Sequence, residues 1–271
     1  MHAASRDALE QSRSSLQSTL STDNGGAQGA KVGSELFQVV DILEANRPLR
    51  VSVADQAASV EARQDLTRSV FGWKIDDATL SVLLAAVAQS WSTPRDLREG
   101  LVSLGREALL RSAEAQGQLQ TVEDELFRLG RIVVGEPELE RHLGDRTTTP
   151  EAKRALLGQL LYGKVTAVTE ALASQAVARP DGMPADDIDA ISTQAAELRG
   201  ATVAVVTSAS NLSAEQEAVL QEKLTSIYGR DMTVHSEVDA DLLGGVVIRV
   251  GHEIIDGSVS GRISAARKAM P

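Results

Sequence analysis

Val238-Asp239-Ala240-Asp241-Leu242-Leu243-Gly244-Gly245-Val246-Val247-Ile248-Arg249-Val250-Gly251 is the stretch that decides the fold. Polar residues lead into a Gly pair, and the pair leads into an apolar run. Paired glycines ahead of Val-Val-Ile suit a tight entry into a buried strand, where a side chain would clash or demand an unfavourable φ. Gly251-His252-Glu253 is placed to turn the chain between two short strands, the second carrying Ile254 and Ile255. Asp256-Gly257-Ser258 and a basic segment with Arg262, Arg267 and Lys268 follow.

Just upstream, Thr202-Val203-Ala204-Val205-Val206-Thr207 is β-branched and apolar, and Met232 to Ser236 is a second strand candidate. Between them Ser213 is expected to cap a helix reaching Tyr228, with Glu215 and Glu217 early and Lys223 late, as the helix dipole favours. The C-terminal portion therefore reads as a small α/β unit.

The rest reads as helix. A first helix spans Ser5 to Leu20, and Ser21 to Gly29 has the composition of a flexible connector. A second helix is expected from Ser34, with Ser34 as its cap. Further helices begin near Ser59 and run from Asp77 to Trp91, and Thr93-Pro94 marks a stop and restart. Thr149-Pro150-Glu151 is another helix start, and Ala185 to Arg199 is one more helix closed by Gly200.

Sliding the chain by ninety positions lays Glu35-Leu36-Phe37 on Glu125-Leu126-Phe127, Thr79 on Thr169 and Ala86-Val87-Ala88 on Ala176-Val177-Ala178. About sixteen identities fall in about sixty ungapped positions, the mark of an internal duplication. Arg6-Asp7-Ala8-Leu9 resembles Arg106-Glu107-Ala108-Leu109 with a shifted offset, which the Gly-rich connector accounts for. The expected organisation is a mainly α chain: a first helical bundle at 1–92, a related bundle at 93–180, and a connecting helix with a mixed-sheet α/β domain at 181–271.

Composition bounds the function. Of the 271 residues 42% are apolar but only 3% aromatic, which favours helices packed through small side chains. The net charge of −11 makes nucleic acid and anionic lipid poor partners. The chain has no cysteine, which removes disulfide and thiolate chemistry. Met1 to Asp7 lacks the apolar core of a signal peptide, and Val82 to Ala88 is far too short to span a bilayer. Membrane association is expected only through a partner.

No catalytic constellation emerges. Gly100 and Gly105 have phosphate-loop spacing, but Arg106-Glu107 stands where Lys-Ser/Thr is needed, so close helix packing explains them better. His2, His142, His235 and His252 have no ligand spacing, and Asp239 with Asp241 lacks further ligands. Asp239 and Asp241 are better placed to cap the short turn before Gly244. Asp186-Asp187 suits the positive end of a helix, and no G-x-S-x-G occurs. No cofactor or metal site is expected.

The opening stretch resembles the signature of the delta subunit of bacterial F-type ATP synthases, the counterpart of the mitochondrial oligomycin sensitivity-conferring protein. The matching positions are Val238, Asp239, Leu242, Gly244, Gly245, Val246, Ile248, Arg249 and Gly251, continued by Asp256, Gly257, Ser258 and Arg262. The resemblance covers about residues 93–271 and implies a non-catalytic stator subunit. It implies N-terminal helices of alpha subunits as partners of the second bundle, in a groove formed here by Leu101, Leu104, Ala108 and Leu109 with Val165, Val168 and Leu172. It implies b-type peripheral stalk subunits as partners of the C-terminal unit. It also implies a peripheral location on the cytoplasmic face of the bacterial plasma membrane.

The extra bundle at 1–92 resembles the extended delta subunits of actinobacteria. No b-type membrane segment accompanies it, so separate b subunits are implied. The first copy is expected to buttress the stalk, so that its removal weakens coupling without abolishing assembly. The basic segment at Arg262 suits either a helix C-terminus or an acidic partner. Two other readings stay open: a free-standing helical-repeat adaptor or regulator sharing this ancestry, and a small-molecule enzyme on the α/β unit.

Overall fold

The computed structural model describes residues 2–21, 26–178, 180, 182–200, 202–229, 232–239, 242–250 and 253–261. These form two compact units, Met1–Ile191 and Ser192–Pro271. The fold is mainly α with a small mixed sheet at the C-terminal end, as the sequence predicts. Gly251, His252, Asp241, Arg262, Arg267 and Lys268 lie outside the described residues, and with them the turn and the basic segment expected there.

In the first unit the helices run α1 (Ala3–Ser21), α2 (Gly26–Ala45), α3 (Arg47–Val53), α4 (Val60–Phe71), α5 (Asp77–Ala88) and α6 (Pro94–Ala115). Then come α7 (Leu119–Gly135), α8 (Pro137–Gly144), α9 (Pro150–Leu161), α10 (Ala167–Ala178) and α11 (Pro184–Leu198), whose last turns enter the second unit. The duplication is visible element by element. α4 and α9 coincide under the ninety-residue shift, as do α5 and α10. Core positions coincide too: Val32 with Val122, Leu36 with Leu126, Val53 with Leu143 and Val87 with Val177 are all buried.

Local chemistry repeats as well. Ser59 accepts from the Ala62 N–H at 3.2 Å to cap α4, and Thr149 accepts from the Ala152 N–H at 3.3 Å to cap α9. Asp55 accepts from the Ala57 N–H, and Asp145 from the Thr147 N–H. The Ser59 and Thr149 caps fix where α4 and α9 begin, because the first N–H groups of a helix have no partner inside it.

The start of α2 differs from expectation. Ser34 does not cap it but sits inside it, donating its hydroxyl to the Ala30 carbonyl, and the helix begins at Gly26. The reason is tertiary. A Cβ at Gly29 would stand 2.8 Å from the Ala108 carbonyl oxygen, and one at Gly33 would stand 2.7 Å from that of Gly105. Gly29 of the supposed connector and Gly33 beyond it let α2 lie directly on the backbone of α6, and that packing overrides their poor helix propensity. The helix from Asp77 also ends earlier, at Ala88, and Trp91 instead folds into the core with its indole N–H on the Ala86 carbonyl.

α2 and α6 form the most extensive helix pair among the described residues. Leu97, Leu101, Leu104 and Ala108 of α6 belong to the same apolar core as Leu16, Leu36, Val39, Leu83 and Phe71 of the first copy. The two copies therefore share one body through α6. Ser5 of α1 reinforces this: its hydroxyl donates to the buried Asp96 carboxylate at 2.7 Å and accepts from the Ser92 N–H at 2.9 Å. Leaving out residues 1–92 would strip α6 of this cover.

The second unit holds β1 (Thr202–Ser208), α12 (Ala214–Tyr228), β2 (Met232–Val238), β3 (Val246–Val250) and β4 (Glu253–Asp256). The sheet order is β2-β1-β3-β4. β1 and β2 are parallel, joined through α12, whereas β3 is antiparallel to β1 and to β4. Ala204, Val206, Met232, Ile248 and Val250 pack with Leu224 of α12 to form its core. Ser213 and Gln216 make the reciprocal cap that starts α12.

Candidate functional site

The Gly pair lies where the chain enters β3. Gly244 has φ +134° and Gly245 has φ +79°, both in the region that favours glycine. A Cβ at Gly245 would meet the Gly257 carbonyl oxygen at 2.5 Å. The pair is clamped against the far end of the hairpin: Gly257 N–H donates to the Val246 carbonyl and Val259 N–H to the Gly244 carbonyl, each at 2.9 Å. Two distant parts of the signature are thus one structural piece.

Asp256 and Ser258 complete it. The Ser258 N–H donates to the Asp256 carboxylate at 2.9 Å, and the buried Ser258 hydroxyl accepts from the Gly261 N–H at 2.9 Å, starting a helical turn at Val259. The Ser258 hydroxyl, then its N–H, holds the Asp256 carboxyl below the ordinary carboxylate range. Val238 ends β2 and is exposed, Leu242 is half-buried, and Arg249 projects from β3 into solvent. Val246 and Ile248 face α12 in the sheet core. The Asp239 N–H donates to the Ser208 carbonyl, and its carbonyl accepts from the Leu242 N–H.

The seven groove positions fall on α6, α10 and the turn before α10. Leu101, Leu104, Ala108, Leu109, Val168 and Leu172 are buried within the chain itself, whereas Val165 is half-buried. α2 covers α6 along much of its length. Gly100 and Gly105 are packing glycines, as expected: a Cβ at Gly100 would clash with the Trp91 ring and one at Gly105 with the Phe37 ring.

The structure adds groups that sequence reading passed over. Glu35 accepts from the Asp76 N–H at 2.9 Å and from the Thr79 hydroxyl at 2.5 Å. Glu125 accepts from Thr166 and from the Thr169 hydroxyl at 2.6 Å. Both pairs lie on the aligned identities, so the ninety-residue shift held the signal. Arg63 of α4 donates to the Gln89 and Ala88 carbonyls at the end of α5, and its counterpart is the buried Lys153. Burial pushes the Lys153 pKa down, partly opposed by Asp145. Among the described residues no three potential ligands gather to hold a metal, and no helix is long and apolar enough to cross a membrane.

Residues 107–270 match the profile of the ATP synthase delta (OSCP) subunit. The chain is 55% identical over 267 residues to ATP synthase subunit delta of Corynebacterium glutamicum strain R, covering 98% of each. It is 51% identical over 271 residues to that of Corynebacterium jeikeium strain K411, covering 100% of each. It is 52% identical over 274 residues to that of Rhodococcus opacus strain B4, covering 100% of this chain and 99% of the relative. A chain of the Toxoplasma gondii mitochondrial ATP synthase hexamer gives a TM-score of 0.37 at 18% identity, over 60% of this chain and 93% of its own. The relatives extend across the first repeat, so the doubled helical body is shared with them. The chain belongs to the family of ATP synthase delta (OSCP) subunits.

Proposed function

We propose that this chain is the non-catalytic stator subunit of an F-type ATP synthase, linking the catalytic head to the peripheral stalk. The carrying observation is the 55% identity to a delta subunit over 98% of both chains, which spans the doubled helical body and the sheet unit alike. The role is mechanical. A link between head and stalk keeps the head from turning with the rotor, so that proton-driven rotation becomes ATP synthesis. The chain is a peripheral component of a membrane complex, on the cytoplasmic face of the bacterial plasma membrane.

Its partners are alpha subunits, through their N-terminal helices, and b-type stalk subunits. The head contact belongs to the body built by the two repeats, and the stalk contact to the unit that carries the clamped Gly pair. Leu101, Leu104, Ala108, Leu109, Val168 and Leu172 support the head contact from the interior, and the half-buried Val165 stands nearest the surface. Affinity purification of the tagged full chain from its own cells tests the reading. Alpha and b-type subunits should co-purify in fixed proportion. Recovery of the chain free of both, under conditions that keep the rest of the synthase assembled, would overturn it.

A further inference from the structure

The sheet of the second unit ends on an open strand. β4 lies at one edge of the order β2-β1-β3-β4, and among the described residues nothing pairs with its outer side. All four of its residues are exposed, Ile254 at 59% and Ile255 at 39%. On the other edge strand, β2, only Val238 is exposed.

The register shows which backbone groups this edge offers. Val250 stands opposite Glu253, Arg249 opposite Ile254, Ile248 opposite Ile255 and Val247 opposite Asp256. The Gly257 N–H donates to the Val246 carbonyl, so the next pair along is a hydrogen-bonded one. Bonded and non-bonded pairs alternate in an antiparallel ladder. Ile255 and Glu253 therefore turn their backbone groups toward β3, whereas the N–H and C=O of Ile254 and Asp256 point outward. Two donors and two acceptors, two residues apart, are what a further strand requires.

Natural edge strands are closed off by lysine, proline or a bulge. β4 has neither residue, and its four pairs with β3 run without a bulge. It carries two isoleucines between two acids instead. Glu253 accepts from the Tyr228 hydroxyl at 2.8 Å and Asp256 from the Ser258 N–H at 2.9 Å, and neither carboxylate forms an ion pair among the described residues. Such an edge favours a strand of apolar and basic residues. It disfavours a second copy of itself, which would set four carboxylates along one short ladder.

We infer that β4 takes up an extended segment of apolar and basic residues from the b-type stalk subunit, which joins the sheet as an added strand. The identity of the partner rests on the stator reading; the open edge does not. Main-chain hydrogen bonds to Ile254 and Asp256 hold the segment, and the acids at the two ends of β4 set its register.

Hydrogen–deuterium exchange of the full chain, alone and within the assembled synthase, tests this. The Ile254 and Asp256 amides should exchange freely in the chain alone and at least about tenfold more slowly in the synthase. Ile254→Pro removes an outward N–H that β3 does not use. The tagged chain carrying it should retain alpha subunits and recover at most about a tenth of the b-type subunits. Ile254→Lys keeps the backbone N–H and sets a cation against the basic segment, so it should weaken the same contact even if proline disturbs the sheet. Unchanged recovery of b-type subunits in both variants, or protection of these amides in the chain alone, overturns the inference and leaves the stator reading standing. Absence of both partners from the unaltered chain overturns the stator reading and with it the partner named here. A dimer of the chain alone that Ile254→Pro abolishes would put a second copy on the edge and likewise overturn the inference.

Discussion

The Thr169 hydroxyl donates to the Glu125 carboxylate at 2.6 Å, and ninety residues earlier the Thr79 hydroxyl donates to Glu35 at 2.5 Å. In each copy one carboxylate on the second helix also takes a backbone N–H at the start of the fifth, from Thr166 or Asp76. The same contact therefore stands at equivalent positions in both halves. Glu125→Ala should lower unfolding free energy by about 1–3 kcal/mol, since it leaves donors unpaired at a half-buried site. Glu125→Gln should cost less, because it keeps one acceptor. Urea unfolding followed by circular dichroism measures both, and equal losses would show that packing rather than the acceptor matters.

Gly245→Val should unfold the second unit. A β-branched residue at φ +79° is strained, and its Cβ would lie 2.5 Å from the Gly257 carbonyl oxygen. Gly163→Ala makes the matched control: φ is +68° there, but nothing stands near the new Cβ, so a loss of only about 1 kcal/mol is expected. Limited proteolysis should cut Gly245→Val within the sheet unit and leave the helical body intact. In the assembled synthase the same variant should free the head from the stalk while ATP hydrolysis by the head continues. Normal coupling in this variant would contradict a structural role for the pair.

Arg63 and Lys153 occupy equivalent positions and should respond in opposite ways. Arg63→Met strands the Ala88 and Gln89 carbonyls and should cost about 1–3 kcal/mol. Lys153→Met should leave stability unchanged or raise it, because burial already disfavours the charged amine. The sign of the pH effect follows. The folded pKa lies below the ordinary lysine value of 10.5, so the unfolded chain binds more protons between the two values. Stability contributed by this group therefore rises with pH across that window, and the rise should vanish in Lys153→Met. Thermal melts at several alkaline pH values would detect it.

Asp256 gives the acid-side counterpart. Its carboxyl is held below the ordinary value of 3.8 by Ser258, so its contribution is complete above that value and is lost as pH falls through the lowered pKa. Ser258→Ala should move the Asp256 pKa upward, as read from carboxyl carbon chemical shifts during an NMR titration. An unmoved pKa would mean that the backbone N–H alone sets it.

Gly33→Leu should pry α2 from α6, because its Cβ would lie 2.7 Å from both the Gly105 carbonyl and Leu109. Overpacking at such a contact costs about 1–3 kcal/mol and more where backbone meets backbone. Truncation to residues 93–271 should have a graver effect. It exposes Leu97, Leu101 and Leu104, so the fragment should aggregate on size-exclusion chromatography. A monodisperse fragment that keeps its helices and its sheet would instead support a first copy that merely buttresses the stalk.

The helix starts at Ser59, Thr93, Thr149 and Ser213 were legible because a cap is a local event written in three or four residues. The strands were legible from β-branched runs, and the Gly pair from its position before one. The start of α2 was not, because Gly29 and Gly33 take their helical state from close packing on the α6 backbone, which is distant in sequence. For the same reason nothing local in Leu101 or Leu104 tells that α2 lies over α6.

Because the core of the first copy is finished by α6, the order of synthesis matters. Residues 1–92 leave the ribosome without the helix that closes their interior, and Leu36, Val39 and Leu83 must wait for Leu97 to Ala108 to arrive. The nascent N-terminal half is thus expected to keep apolar surface uncovered until the chain has passed Ala115. A pause in translation before that point would be more harmful to this protein than one after it.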